Sequence, residues 1–170
     1  FDNVAVRQGI AMAIDQAKLT QTFLASGSET ATQLIPSYTN TGRTSSLEWY
    51  QVNVENAKKA LQDANFDFTK TVTLAYVEEP SNLIQSPGLL ANEIKNELIA
   101  VGITVELQPL RQEKFNSAIW NGTSMMFLDT YKAQYADGAA FYEIPLLRDT
   151  RQFGDTYPML QQDLYAVQAA

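Results

Sequence analysis

The stretch TVTLAYVEEPSNLIQSPGLLANEIKNELIAVGITVEL, residues 71–107, decides the fold class. Its first seven residues, Thr71 to Val77, are rich in β-branched side chains and alternate with period two, which predicts a strand. From Ser86 to Val101 the pattern changes. Leu90, Ile94, Leu98 and Val101 recur at helical spacing, and Gly102 stands where a helix C-terminus wants glycine. Ile103 to Leu107 then reads as a second strand. A strand, a helix and a strand in this order require a crossover connection and parallel pairing.

The same alternation continues downstream. Gln112 to Asn121 predicts a helix on Phe115, Ala118 and Ile119, ended by Gly122, and Met125 to Leu128 predicts a third strand. Two right-handed crossovers follow, and with them an α/β fold with a mixed, largely parallel sheet whose faces are covered by helices. Upstream, Val6, Ile10, Ala13, Ile14 and Ala17 place one apolar face on a helix from Asn3 to Ala17, capped by Asp2 or Asn3. A shorter helix is expected over Lys18 to Ala25, with Leu19, Phe23 and Leu24 apolar and Gly27 closing it. Residues 28–48 are rich in Ser, Thr, Asn, Gly and Pro around Leu34-Ile35-Pro36. They read as a long loop, functional or draped over a neighbouring surface. Asn53 can cap a helix from Val54 to Ala64 whose inner face carries Val54, Ala57, Ala60, Leu61 and Ala64.

In such a sheet ligands sit beyond the carboxyl ends of the strands. Three segments leave those ends: Glu78-Glu79-Pro80, Gln108-Pro109-Leu110, and a tip from Asp129 to Gly138. The tip lies within SMMFLDTYKAQYADGAAF, residues 124–141, where an apolar run breaks into acids and tyrosines. Tyr131, Gln134 and Tyr135 are the candidate ligand contacts, with Asp129 and Asp137 beside them. Tyrosine offers broad apolar surface together with a hydroxyl, which suits varied ligands. By pattern alone, a polar turn explains the tip equally well.

Composition narrows the chemistry. The chain has 170 residues, 45% of them hydrophobic, enough for one core and one domain. Twelve Lys and Arg oppose nineteen Asp and Glu, a net charge of -7, which argues against a nucleic-acid partner. There is no cysteine and no histidine, so thiolate zinc sites, Cys nucleophiles and Ser-His triads are excluded within this chain. No apolar run approaches the ~18 residues of a membrane span, so direct membrane insertion by this segment is not expected. No metal site or cofactor is expected either. A start at Phe1 rather than Met leads to the expectation of a piece of a longer protein.

Several features have plain structural readings. Arg7 and Asp15 are expected as helix-surface charges rather than a catalytic pair. Glu78 and Glu79 are adjacent in an extended segment and point apart, so a solvated loop is expected. Trp49 and Tyr50 are read as packing beneath the long loop, and Trp120 as core or interface filler. Lys58-Lys59 reads as a solvated helix face.

Ordered pieces of the chain resemble a known family. They are VRQGIAMAID (6–15), LIP (34–36), YQVNVENAKKALQDANF (50–66), TVTLAY (71–76), VGITVEL (101–107) and FNSAIWNGTSMMFLDTYKAQYADGAAF (115–141). Together they resemble family 5 extracellular solute-binding proteins, the oligopeptide, dipeptide and nickel receptors of ABC importers. The resemblance covers residues 1–142. It implies that residues 1–170 form a single α/β lobe of a longer two-lobed, non-enzymatic receptor. That receptor would capture a peptide or similar solute in an interlobe cleft and deliver it to a membrane permease. It implies a periplasmic or extracellular location, with a lipid anchor on the full-length protein. In many peptide-binding members an aromatic follows the strand, and an acid three residues later receives the peptide ammonium. Here those positions are Tyr131 and Gln134, so the acid is replaced by an amide. Two rival readings remain: an α/β enzyme domain using Asp129 with Tyr131, and a protein–protein interaction module.

Overall fold

The computed structural model describes residues 1–39, 51–133, 137–142 and 162. They fall into two compact units. One holds residues 1–30, 51–115 and 124–129. The other holds residues 31–39, 116–123, 130–133 and 137–142, with residue 162.

The first unit is built on three strands, β1 (Thr71–Val77), β2 (Thr104–Leu110) and β3 (Met126–Leu128). Their spatial order is β2-β1-β3, and both pairings are parallel. Thr71 lies opposite Thr104 and Val77 opposite Leu110. Leu74 faces Met126 and Tyr76 faces Leu128. The chain therefore steps outward from β1 to β2 and then returns past β1 to β3.

The described residues include the helices α1 (Val4–Ala13), α2 (Gln16–Phe23), α3 (Val54–Asp63), α4 (Pro87–Ala100) and α5 (Gln112–Trp120), and, in the second unit, the short α6 (Ala139–Tyr142). Val72, Leu74 and Tyr76 share one face of the central strand with Val105 of β2. That face joins Val6 and Ala13 of α1, Ala57 and Leu61 of α3, and Leu90, Ile94 and Leu98 of α4 in one buried core. Gly9 lets α1 and α3 approach closely. A Cβ there would stand 2.9 Å from Leu61 Cγ. The opposite face differs. Ala75 is fully buried, and Phe115 at the first turns of α5 packs edge-on against Phe127 with ring centroids 6.5 Å apart. The sheet is flanked by helices as expected, and the Glu106 and Gln108 side of β2 is exposed.

Two boundaries and one burial depart from the expected ones. The two expected helices are present, but the break between them falls at Ile14-Asp15 rather than between Ala17 and Lys18. Ile14 takes an extended backbone, and Asp15 caps α2 by accepting a hydrogen bond from the Lys18 N–H at 3.0 Å. The Asp15 N–H donates to Glu97 of α4 at 3.1 Å, a tertiary partner in place of the next helical carbonyl. β2 runs three residues beyond the expected Leu107, through Pro109 to Leu110. Among the described residues β2 pairs only with β1, and a strand at an edge tolerates proline because it does not need every N–H. Val54, expected inward, is 37% exposed, since it opens α3 before the helix reaches the core. Asn3 and Asn53 cap α1 and α3 as expected.

Each helix that precedes a strand ends in the same way. Asn65, Gly102 and Gly122 have positive φ. After α4, Gly102 N–H donates to Ile99 O at 2.9 Å and Ile103 N–H to Leu98 O at 3.0 Å. After α3, Asn65 and Phe66 bond back to Gln62 and Leu61. After α5, Gly122 and Thr123 bond back to Ile119 and Ala118. These paired bonds satisfy the last helical carbonyls and turn the chain toward the strand.

Candidate functional site

Parallel pairing brings three exits to one edge of the sheet in the first unit. β1 leaves through Glu78-Glu79-Pro80, β2 through Arg111 and β3 through Asp129. All five residues are exposed. The Glu78 N–H donates to Leu110 O at 3.0 Å, which carries the β1–β2 ladder one step beyond the strand ends. Arg111 Nε lies 3.9 Å from Glu78 Oε1, an open surface pair. The segment after Pro80 is tied down. Ser81 N–H donates to Ile84 O at 2.8 Å, Ile84 N–H donates to Ser81 Oγ at 3.0 Å, and Ala25 N–H donates to Leu83 O at 3.1 Å. The edge of the sheet thus carries acids on a braced backbone. Gln108, Pro109 and Leu110, expected to leave the sheet, are strand residues instead.

The second unit holds most of the tip. Tyr131 is 41% exposed, and Asp137 is exposed. Gln134 and Tyr135, also candidate ligand contacts, lie outside the described residues, as do Trp49 and Tyr50. Tyr131 packs edge-on against Phe141 at 6.1 Å between ring centroids, and Tyr38 packs against the same Phe141 at 6.3 Å. Sequence reading missed both partners. Tyr38 sits in a polar loop with no periodic pattern, and a lone Phe141 after the tip carried no signal. Trp120, expected as core or interface filler, is 54% exposed, which rules out the core half of that expectation.

Charges elsewhere serve the fold. Arg7 donates to the carbonyls of Phe1 and Asp2 at 2.8 and 2.9 Å, and Asp15 caps α2, so the two have separate structural duties. Lys58 and Lys59 pair with Glu55 and Asp63 on the surface of α3. Lys18 bonds Glu93 and lies 3.5 Å from Glu97. That bond holds Glu93 below the usual glutamate range and raises Lys18. Burial pushes Glu97 above the usual range, against its bond from the Asp15 N–H. A cavity of about 290 Å³ opens near the amino end of β1, between Phe1, Asp2, Phe66, Asp67, Lys70 and Val72 among others. It lies at the start of the strand rather than at its exit. Asp67 there is held low by the Thr69 hydroxyl, which donates to it at 2.6 Å. Among the described residues, no group of three or more His, Cys, Asp or Glu could hold a metal ion. No described helix is long and apolar enough to cross a membrane.

Solved structures share this fold. HbpA2 from Haemophilus parasuis matches with a TM-score of 0.75 and 23% identity, over 85% of this chain and 28% of its own. An oligopeptide ABC transporter substrate-binding domain from Bacillus anthracis also reaches 0.75, at 15% identity, over 97% of this chain and 33% of its own. The periplasmic oligopeptide-binding protein OppAIV from Borrelia burgdorferi matches at 0.70 and 25% identity, over 87% and 29%. This chain therefore spans about a third or less of each of these relatives. No curated protein sequence matches it. What these structures share with this chain is the fold, an α/β architecture with a parallel sheet flanked by helices. The profile described as "Bacterial extracellular solute-binding proteins, family 5 Middle" matches residues 1–152. The chain belongs to that family.

Proposed function

We propose that residues 1–170 form one lobe of a two-lobed receptor that captures a short peptide or similar solute and hands it to an ABC permease. The observation that carries this reading is the family match over residues 1–152. It is supported by the exit edge, where Glu78, Glu79 and Asp129 stand exposed, and by the naming of OppAIV as oligopeptide-binding. On this reading the protein binds and releases its solute without turnover. It works on the outer face of the cell membrane, lipid-anchored through a part of the receptor beyond this chain. The ligand contacts are Asp129, Tyr131, Gln134, Tyr135 and Asp137. A neutral amide at Gln134 gives a weaker bond to an ammonium than a carboxylate would. Asp129 and Asp137 supply the negative charge in its place.

The test is thermal melting of the full-length receptor with a mixed library of short peptides, free or acetylated at the N-terminus. A ligand at a hundredfold its Kd stabilises the native state by about 2.7 kcal/mol, so binding appears as a rise in Tm. Free-amine peptides raise Tm and acetylated ones raise it less. If neither raises it, the peptide reading fails.

A further inference from the structure

We propose that the first turn of α4 is an oxyanion site, in which the Gly88 N–H and the Tyr76 hydroxyl hold a carboxylate or phosphate oxygen. The site lies within the first unit and goes beyond the receptor reading, since it rests on no particular solute. The backbone supplies one donor. A serine at a helix N-cap ordinarily accepts a bond from the second or third helical N–H. Ser86 holds the N-cap of α4, yet its side chain makes no capping bond. Pro87, first in the helix, has no N–H to give. The Leu89 and Leu90 N–H groups both donate to Ser86 O at 3.1 Å. Among the described residues this leaves the Gly88 N–H as the open donor of the turn.

The second donor is independent of the helix. Tyr76, near the carboxyl end of β1, is only 8% exposed, and it belongs to the same buried core as Ile84, Leu90 and Ala91. Tyrosine hydroxyls on buried rings ordinarily find a hydrogen-bond partner. The Tyr76 hydroxyl bonds to none of the described residues, and it is aimed at the first turn of α4. A Cβ on Gly88 would stand 3.5 Å from it, in ordinary contact. Glycine at this position therefore leaves open the space over the hydroxyl that a methyl group would fill. Two donors from separate elements meet beside one helix end. The helix runs for 14 residues, and its dipole is positive at this end, which favours an anion. The place is the carboxyl end of a parallel strand, where α/β folds take ligands. Of the acids between β1 and α4, Glu78 lies 3.9 Å from Arg111 and Glu79 is exposed, so solvent and salt screen both.

The experiment uses the full-length receptor carrying isotope-labelled glycine, with NMR as the readout. The Gly88 amide is assigned by its absence from Gly88→Ala. Sodium acetate and sodium phosphate are titrated at constant ionic strength, with acetamide as the neutral probe. The Gly88 amide proton is expected to shift saturably with acetate or phosphate and not with acetamide. Tyr76→Phe keeps the buried ring, so its Tm is not lowered, and it weakens anion binding about tenfold through the lost bond to a charged group. Tighter binding of acetate assigns the site to a carboxylate, and tighter binding of phosphate to a phosphoryl group. The absence of any saturable shift overturns the proposal, since the turn then holds only water. So does an equal affinity in Tyr76→Phe, because the helix end alone would be responsible. Acetamide binding as well as acetate overturns it in favour of a neutral carbonyl. A Tm lowered by Tyr76→Phe overturns it as well, because the hydroxyl would then be bonded to another part of the receptor. The receptor reading is tested separately, by the peptide melting described above, and stands or falls on that result.

Discussion

Two residues with positive φ show how single side chains set the geometry of this chain. Gly102 and Asn65 both stand just past a helix, in the left-handed region, at φ 94° and 54°. A Cβ at Gly102 would lie 3.4 Å from the Phe68 ring, close but tolerable, so conformation dominates the cost there. Left-handed backbone costs a residue with a Cβ roughly 1–2 kcal/mol. Gly102→Ala is therefore expected to destabilise by about that amount. Asn65→Gly, at the equivalent place after α3, should be neutral or slightly stabilising. Urea unfolding of the two variants separates them, and equal midpoints would contradict the argument. Gly9 is constrained differently. Its φ is ordinary for a helix, and what forbids a side chain is the fully buried Leu61.

At the scale of elements, α2 and α4 are joined by a small charged cluster. Lys18 reaches Glu93 and Glu97, and Glu97 also accepts the Asp15 N–H at the break between α1 and α2. The two glutamates respond to pH in opposite directions. Glu97 is raised by burial, so the folded state holds its proton more tightly than the unfolded chain. Its contribution is present in acid and is lost as pH climbs through the raised value. Glu93 is lowered by Lys18, so its contribution is present above the ordinary glutamate range and lost as pH falls. Glu97→Gln should therefore gain stability relative to the parent as pH rises from about 4 to 7. Melting temperatures of variant and parent across that window test the sign. A difference that shrinks with rising pH would show that the hydrogen bond to Asp15 outweighs the burial.

At the scale of the whole molecule, the chain is a member of a solute-binding family and spans about a third or less of the solved relatives compared above. If it is one lobe, it provides only part of the contacts and none of the desolvation that comes with closure around a ligand. The 170-residue chain alone should bind the peptides that stabilise the full receptor at least a hundredfold more weakly, which corresponds to about 2.7 kcal/mol of missing contact. Calorimetry on both proteins checks this. Micromolar or tighter binding by the chain alone would mean that the site is complete within it, and the two-lobe reading would fail.

The sequence by itself determined the elements and their order. Thr71 to Val77 was legible as a strand to the residue, because its β-branched content and period-two alternation suit a pleated strand that turns Val72, Leu74 and Tyr76 to the core. Leu90, Ile94 and Leu98 were legible because a helix covering a sheet needs one apolar stripe. The asparagine caps at Asn3 and Asn53 and the glycine stop at Gly102 are local chemistry, readable without any neighbour. Whatever depended on partners distant in the chain was decided only by the tertiary structure. The break at Ile14-Asp15 hides inside a continuous apolar period, and it is fixed by Glu97 from α4. β2 extends through Pro109 because pairing with β1 outweighs a missing N–H at an edge. The candidate site divides in the same way. Tyr131 could be named from its place after a strand, since position along the chain carries that information. Its meeting with Tyr38 and Phe141 could not, because no local rule relates a polar loop to a helix a hundred residues later, and only folding brings their rings together.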